Sequence, residues 1–368
     1  MKIGMAPVYM PVLRTKNGEK QALLNLEPID KARLLPLFDV QAPESGAPVD
    51  DQLEIAVEFV REAWATKQEF LLDISQLASD LRTASGMHPL RYLAMAFEQA
   101  LFQPTMCFAF DRSDDAYEAA FLAAVRGQGE SAKAAFRLQQ HDLLLWEETF
   151  SRLNALRAAL RIAPERLMVI ADMQSLRGPQ VVDASVLEGR FKDLAARGFG
   201  RLVVLGSNMP ESQNLPKDDE LEVRRLEVDI WEALRPAVPA LMFGDYGIVH
   251  PTSVYIPHSG MAIPAPKAKY TLPTRWQIIK GHLPKRGEAS QYYKIARRLV
   301  NATWFQPNDF GWGAENIREI ATGHRGKRGN NTDWVAYTTE IHLAMTVRQM
   351  AVAVRTATES AVGYKEVT

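Results

Sequence analysis

Five aspartates stand at or just after the C-terminal ends of short apolar runs: Asp39 in LFDV, Asp73 in LLDIS, Asp111 in FDRSD, Asp172 in IADM and Asp245 in FGDYG. If those runs are parallel strands of one closed barrel, their ends share one rim, and carboxylates there face one another across its mouth. Such a ring can ligate Mg²⁺ or Mn²⁺, which take oxygen ligands, or divide general acid and general base work by mutual pKa shifts. On this reading Asp73, Asp111, Asp172 and Asp245 are candidate catalytic residues, and Asp39, Asp73 and Asp245 candidate metal ligands. Aspartate at a strand-to-helix junction is also an ordinary helix N-cap, as Asp114 close behind Asp111 suggests.

Candidate ligand-binding residues surround that ring. Lys16 and Glu19 follow the first run, where Lys16 can meet a phosphate or carboxylate and Gly18 allows close backbone approach. A turn with an exposed lysine and a first-turn glutamate is the plainer alternative. Tyr246, between Asp245 and Gly247, falls at the end of the eighth run. Barrel closure makes the first and eighth strands neighbours, which predicts that Lys16 and Asp245 meet at the mouth. Arg275, Trp276 and Lys280 lie in RWQIIK and combine cations with a stacking surface. From Pro264 to Asn331 the chain has 13 Lys or Arg against 4 Asp or Glu. That segment invites a phosphate-bearing partner, and its loop GHRGKRGNN can close over an anion. The same charges also suffice to complement an acidic barrel face, because the whole chain carries a formal net charge of −1.

Other chemistries lack their signatures. The seven histidines include no metal-ligand pair such as H-x-x-x-H, and there is no G-x-S-x-G elbow, so zinc hydrolase and serine hydrolase readings are disfavoured. Cys107 is the only cysteine and falls inside an apolar run, as a core residue does. No dinucleotide or P-loop glycine fingerprint follows any run.

The elements that must position these residues follow from hydrophobic pattern. The chain has 368 residues, 47% of them hydrophobic, enough for a large core. Runs at 8–13, 35–40, 70–74, 106–110, 135–138, 167–171, 202–205 and 241–243 have the nearly continuous apolar character of parallel strands covered by helices. Between them lie helical stripes such as Leu53, Val57, Val60 and Trp64, or Val223, Leu226, Ile230 and Leu234. Eight alternations in about 250 residues predict a (β/α)8 TIM-like barrel, with a doubly wound open sheet as the alternative. The expected organisation is a barrel over 1–250 and a basic, aromatic C-terminal extension over 251–368, packed on the barrel as one unit. The extension should end in a long helix from Asp333, its expected N-cap, to about residue 358. The first sixteen residues are interrupted by Pro7 and Pro11, and no apolar run reaches membrane-spanning length, so the expectation is a cytoplasmic protein without a membrane partner.

Five pieces of the sequence also carry a resemblance: VYMPVLRTKNGEKQALLNL with LLPLFDV, then FGDYG, KYTLPTRWQIIKG, FGWGAENIREIATG and NTDWVAYTTEIHLAM. In this order they resemble the phage-type beta protein family from about Val8 to Met345. The chain departs from the family's pattern in having Ala314 directly after Trp312 and Gly313, where an acidic residue is expected. The resemblance implies a protein of phages, prophages or bacterial defence loci, and brings no catalytic mechanism with it. Two functions are therefore expected. One is a metal-assisted phosphoester hydrolase acting on a nucleotide, a nucleic acid or another phosphorylated small molecule, with Mg²⁺ or Mn²⁺ as the metal. The other is a non-catalytic scaffold that binds nucleic acid or a phage or host protein in antiviral defence or counter-defence.

Overall fold

The computed structural model describes residues 5–43, 46–64, 68–112, 114–178, 182–251, 264–285, 290–323 and 329–363. Eight parallel strands close into one barrel. They are β1 (Tyr9–Arg14), β2 (Leu37–Asp39), β3 (Leu71–Asp73), β4 (Thr105–Ala109), β5 (Ala134–Gln139), β6 (Leu167–Ser175), β7 (Arg201–Ser207) and, after β8 (Asp219–Arg224), β9 (Met242–Asp245). Each pairs with the next, and β9 pairs with both β7 and β1. The (β/α)8 expectation holds, and all eight apolar runs are barrel strands. Even AAFRLQ, the most polar of them, is paired along its whole length with β6 and from Ala134 to Arg137 with β4.

Side chains alternate across these strands, so each strand feeds two cores. Met10, Leu37, Cys107, Ile170 and Leu205 fill the barrel interior. The alternate positions face the helices, where Phe108 stacks on Tyr117 at 5.0 Å and tilts against Phe121 at 5.0 Å. Three of the helices start on side-chain caps: Asp114 accepts from Tyr117 N at 2.8 Å, Asp183 from Val186 N at 3.0 Å and His88 from Leu90 N at 3.2 Å.

β8 departs from the reading of Val223 as part of a helical stripe. It is a strand, and the helix begins after it, at Leu226. DELEVR is too polar to stand out as an apolar run. β8 pairs antiparallel with β11 (Arg275–Lys280), which pairs in turn with β10 (Lys267–Thr271), giving a three-stranded sheet beside the barrel. A strand that precedes the last barrel strand is thus laced to residues beyond Pro251.

The long helix Asn331–Gly363 lies across this junction. Its start differs from the expectation in register. Asn330 is the cap, its side chain accepting from Thr332 N at 2.8 Å and Asp333 N at 3.0 Å, while Asp333 reaches back to Asn330 N at 2.8 Å. This is a capping box with Asp333 in its third position. Gly18 serves this packing: a Cβ there would lie 2.6 Å from Val335 Cγ1. Among the described residues, no helix is long and apolar enough to cross a membrane.

The aromatic layer outside β4 is a sensitive point of the fold. Phe108→Ala should lower unfolding free energy by about 3–5 kcal/mol, read as a drop in the urea midpoint at unchanged slope.

Candidate functional site

Strand parity divides the strand-end aspartates between two faces. Asp39 and Asp73 pair in register, two positions beyond the inward Leu37 and Leu71, and Asp172 stands two beyond the inward Ile170. All three therefore look into the mouth. Asp73 and Asp172 share a local device. Each accepts a backbone N–H two residues on, from Ser75 at 2.8 Å and Gln174 at 2.9 Å. At Asp73 the turn takes the chain off the end of β3, whereas at Asp172 it falls inside β6, where the pairing with β7 shifts register before Ser175; both leave the second carboxylate oxygen to other partners.

That partner is Arg137, an inward residue of β5. Its guanidinium donates through Nη1 to Asp73 at 2.5 Å, through Nε to Asp172 at 2.9 Å and through Nη2 to the Tyr246 hydroxyl at 2.7 Å. The Tyr246 hydroxyl donates to Asp172, 2.7 Å from Oδ2. Ser75 Oγ links the cluster to Asp39 at 3.4 Å. Asp39 has no direct ion pair among the described residues, and burial, reinforced by the charge of Asp73, pushes its carboxyl up to about 7. Lys16 stands near it. Burial, then the neighbouring Arg14, lowers its ammonium to about 8, against the pull of Glu19 and Asp39. Glu19 is buried, and burial raises its carboxyl.

Asp245 does not join this ring. It shares parity with the outward Phe243, so its carboxylate faces the layer between the barrel and the long helix. There Tyr9 donates to it at 2.5 Å, Gly247 N at 2.9 Å and Arg225 Nη2 at 3.3 Å, while His342 Nε2 lies 3.0 Å away. Burial alone would raise this carboxyl, but His342, Arg225 and Tyr9 outweigh it and hold it below its ordinary value. Burial keeps His342 neutral, its pKa lowered. With its hydrogen on Nε2 the ring donates to Asp245 and accepts from Thr271 Oγ1, 3.0 Å from Nδ1. The cation near Asp245 is therefore Arg225 rather than Lys16.

The remaining sequence candidates are scattered. Asp111 is exposed on a short 3-10 turn and accepts from Gln139 at 2.7 Å. Trp276 is fully buried, stacked on His342 at 5.0 Å, with Arg225 over its ring, and offers no open stacking surface. Arg275 pairs with Glu222 at 3.1 Å, and Lys280 donates to the carbonyls of Ser212 and Leu215. Most of GHRGKRGNN, residues 324–328, lies outside the described residues.

For the metal, the residues do not fit. Asp39 and Asp73 face the axis and Asp245 faces away, while the charge between Asp73 and Asp172 is the guanidinium of Arg137. Among the described residues, no group of three or more His, Cys, Asp or Glu side chains can hold an ion together.

Of the sequence candidates, Asp39, Asp73, Asp172 and Tyr246 come together at the mouth; Arg137, Tyr9, Arg225 and His342, which hold them or Asp245, were not among the candidates. Arg137 had a visible signal: an arginine at an inward position of a buried strand must be paired.

The architecture is that of an eight-stranded parallel β/α barrel. Solved structures with likeness to it include a GH10 endoxylanase from a sugarcane soil metagenome, at 13% identity and TM-score 0.40 over 65% of this chain and 85% of that one. Another is xylanase B from Clostridium stercorarium F9, at 11% identity and TM-score 0.39, over 65% and 85%. The catalytic module of a family 98 glycoside hydrolase from Streptococcus pneumoniae TIGR4 has 13% identity and TM-score 0.41, over 66% and 46%. Comparison with curated proteins gives no match. The Beta protein family model matches residues 9–348, and the chain belongs to that family.

Two outcomes follow from the buried charges. Arg225→Met leaves Asp245 without its guanidinium partner and should cost about 3–5 kcal/mol in chemical denaturation. Burial raises Asp39, Glu227 and Glu340 each to about 7, so the folded state holds their protons more tightly than the unfolded chain. The stability they contribute is complete below pH of about 4 and is lost as pH rises through about 7. Melting temperature should fall over that window, and Glu340→Gln, which stays neutral, should flatten part of the fall.

Proposed function

We propose that the barrel mouth is the active site of an acid–base phosphoester hydrolase that acts on a nucleotide or another phosphorylated small molecule, without the metal that the ring of aspartates suggests. The observation that carries this reading is the contrast between Asp39 and its register partner Asp73. Asp73 is ion-paired with Arg137, whereas the Asp39 carboxyl titrates at about 7. Neighbouring carboxyls with divergent environments divide acid and base roles, and a proton donor works best when its pKa lies near the working pH.

In this reading Asp39 gives its proton to the leaving-group oxygen as the ester P–O bond breaks and water adds to phosphorus, and the proton that the water sheds returns to the Asp39 carboxylate. Lys16 neutralises charge on the phosphoryl oxygens. The fixed network of Arg137, Asp172 and Tyr246 holds Asp73 in place, so that its charge keeps Asp39 protonated.

The scaffold alternative has an observation of its own: Arg137 is so fully engaged that the same network can serve as a structural plug. Hydrolysis of p-nitrophenyl phosphate and of a nucleoside mono- and diphosphate panel separates the two. Turnover should decline above pH of about 7 as Asp39 ionises, and Asp39→Asn should reduce it by about 100-fold or more while thermal unfolding stays cooperative. Absence of hydrolysis across the panel, or an Asp39→Asn rate equal to wild type, decides for the scaffold.

A further inference from the structure

The most unusual charges outside the aspartate ring are three lysines on the small sheet. Lys267 and Lys269 are two apart on β10, and the register Lys267↔Lys280 puts Lys280 on the same face. That face also carries Trp276 and Ile278 and packs against Met209, Leu215 and Ile248. The lysines thus point into the layer beside the barrel mouth.

Two of the ammonium groups meet at Ser212, and the third, next to Lys267 on the same face, is held by Ile248. Lys267 donates to Ser212 Oγ at 3.0 Å, and Lys280 to the carbonyl of the same Ser212 at 2.9 Å and of Leu215 at 3.1 Å. Lys269 donates to the carbonyl of Ile248 at 2.7 Å. Among the described residues, no carboxylate pairs with any of the three. The nearby acids are otherwise engaged: Glu211 with Gln213 at 2.7 Å, Asp218 with His282 at 2.7 Å, and Asp219 with the backbone of Glu220 at 2.7 Å.

Buried ammonium groups are normally paired, because neutral carbonyls do not cancel their charge. Here Lys269 is only 7% exposed. Burial, then Lys267 and Arg14, brings its ammonium down to about 7. Lys267 is likewise lowered, by burial and then by Lys280. Acids stand beside the layer, Asp219 directly across the register from Lys280, but none of them forms an ion pair with the three ammonium groups.

We propose that Lys267, Lys269 and Lys280, with Ser212, form a binding site for the phosphoryl group of a small phosphorylated molecule. Three ammonium point charges and a hydroxyl match the several oxygens of a phosphoryl group, and lysine recognises phosphate as a point charge. The depth of Lys269 excludes an extended polynucleotide backbone and selects a small ligand. The site deepens the phosphoester reading, but its test is binding and requires no turnover.

Calorimetry of the full chain with inorganic phosphate and with pyrophosphate, in two buffers of different ionisation enthalpy, provides that test. The expected result is one site per chain, with proton uptake near pH 7.5 as the anion restores the charge of Lys269. Lys267→Gln and Lys280→Gln should each weaken affinity by about tenfold or more, with unchanged circular dichroism. Lys269→Met should abolish the proton uptake, and if it fails to fold, the other two variants carry the test. No heat and no rise in melting temperature at about 10 mM of either anion would overturn the proposal. So would wild-type affinity in Lys267→Gln and Lys280→Gln, or lysine-dependent binding of oligonucleotides but not pyrophosphate.

Discussion

The seam of the barrel depends on one buried carboxylate. β9 closes the cylinder by pairing with β1, and its last residue, Asp245, points outward into a layer that water does not reach. An unpaired charge there would cost several kcal/mol, so its partners are fixed with it: Tyr9 from β1, Arg225 from the loop after β8, and His342 from the long helix. Arg225 in turn contacts Thr346 and the carbonyl of Leu272, and lies over the Trp276 ring. One carboxylate thereby makes barrel closure, the small sheet and the long helix conditions of one another. Arg348, paired with Asp30, adds a second tie between that helix and the barrel's first connection.

The same residue type does different work on the two faces of the wall. Outward, Asp245 is saturated by donors, its protons allotted and its position rigid. Inward, Asp73 and Asp172 are clamped by one arginine, and Asp39 beside them keeps a titratable proton because burial is not offset by an ion pair. The difference lies in the count of donors reaching each carboxylate rather than in depth, since all four are almost wholly buried. Gly313 shows a related constraint in the outer layer, where it approaches the Tyr337 carbonyl too closely for any Cβ and donates its N–H to Glu340 at 2.9 Å.

The barrel was legible because strands buried on both faces must be apolar almost throughout, and only such runs remain when helices cover a parallel sheet. β8 was hidden for the converse reason. As the outer strand of a half-exposed sheet it can be polar, and DELEVR carries no apolar run. Asp39, Asp73 and Asp172 were legible from their place at the ends of apolar runs, although β6 itself runs on past Asp172 to Ser175. The outward turn of Asp245 was recoverable from parity with Phe243, but FGDYG reads more readily as a glycine-flanked ligand loop. Tyr9, Arg225 and His342 had no local signal, because what defines them is their meeting at Asp245 from 236, 20 and 97 positions away along the chain. The basic character of residues 264–331 was legible, yet its outlets were not: Arg275 pairs with Glu222 at the surface, Lys280 is held by backbone carbonyls and Trp276 is buried.

The lacing of β8 to β11 has a consequence for how the chain emerges during synthesis. β8 leaves the ribosome before β9, but its pairing partner lies about fifty residues later and His342 later still. For that interval the eighth barrel strand can dock while its outward acid faces solvent, and β8 presents a bare edge with unmatched amide and carbonyl groups. Its two glutamates and Arg224 then act as gatekeepers, keeping a waiting edge soluble and unattractive to other nascent chains until its own partner arrives.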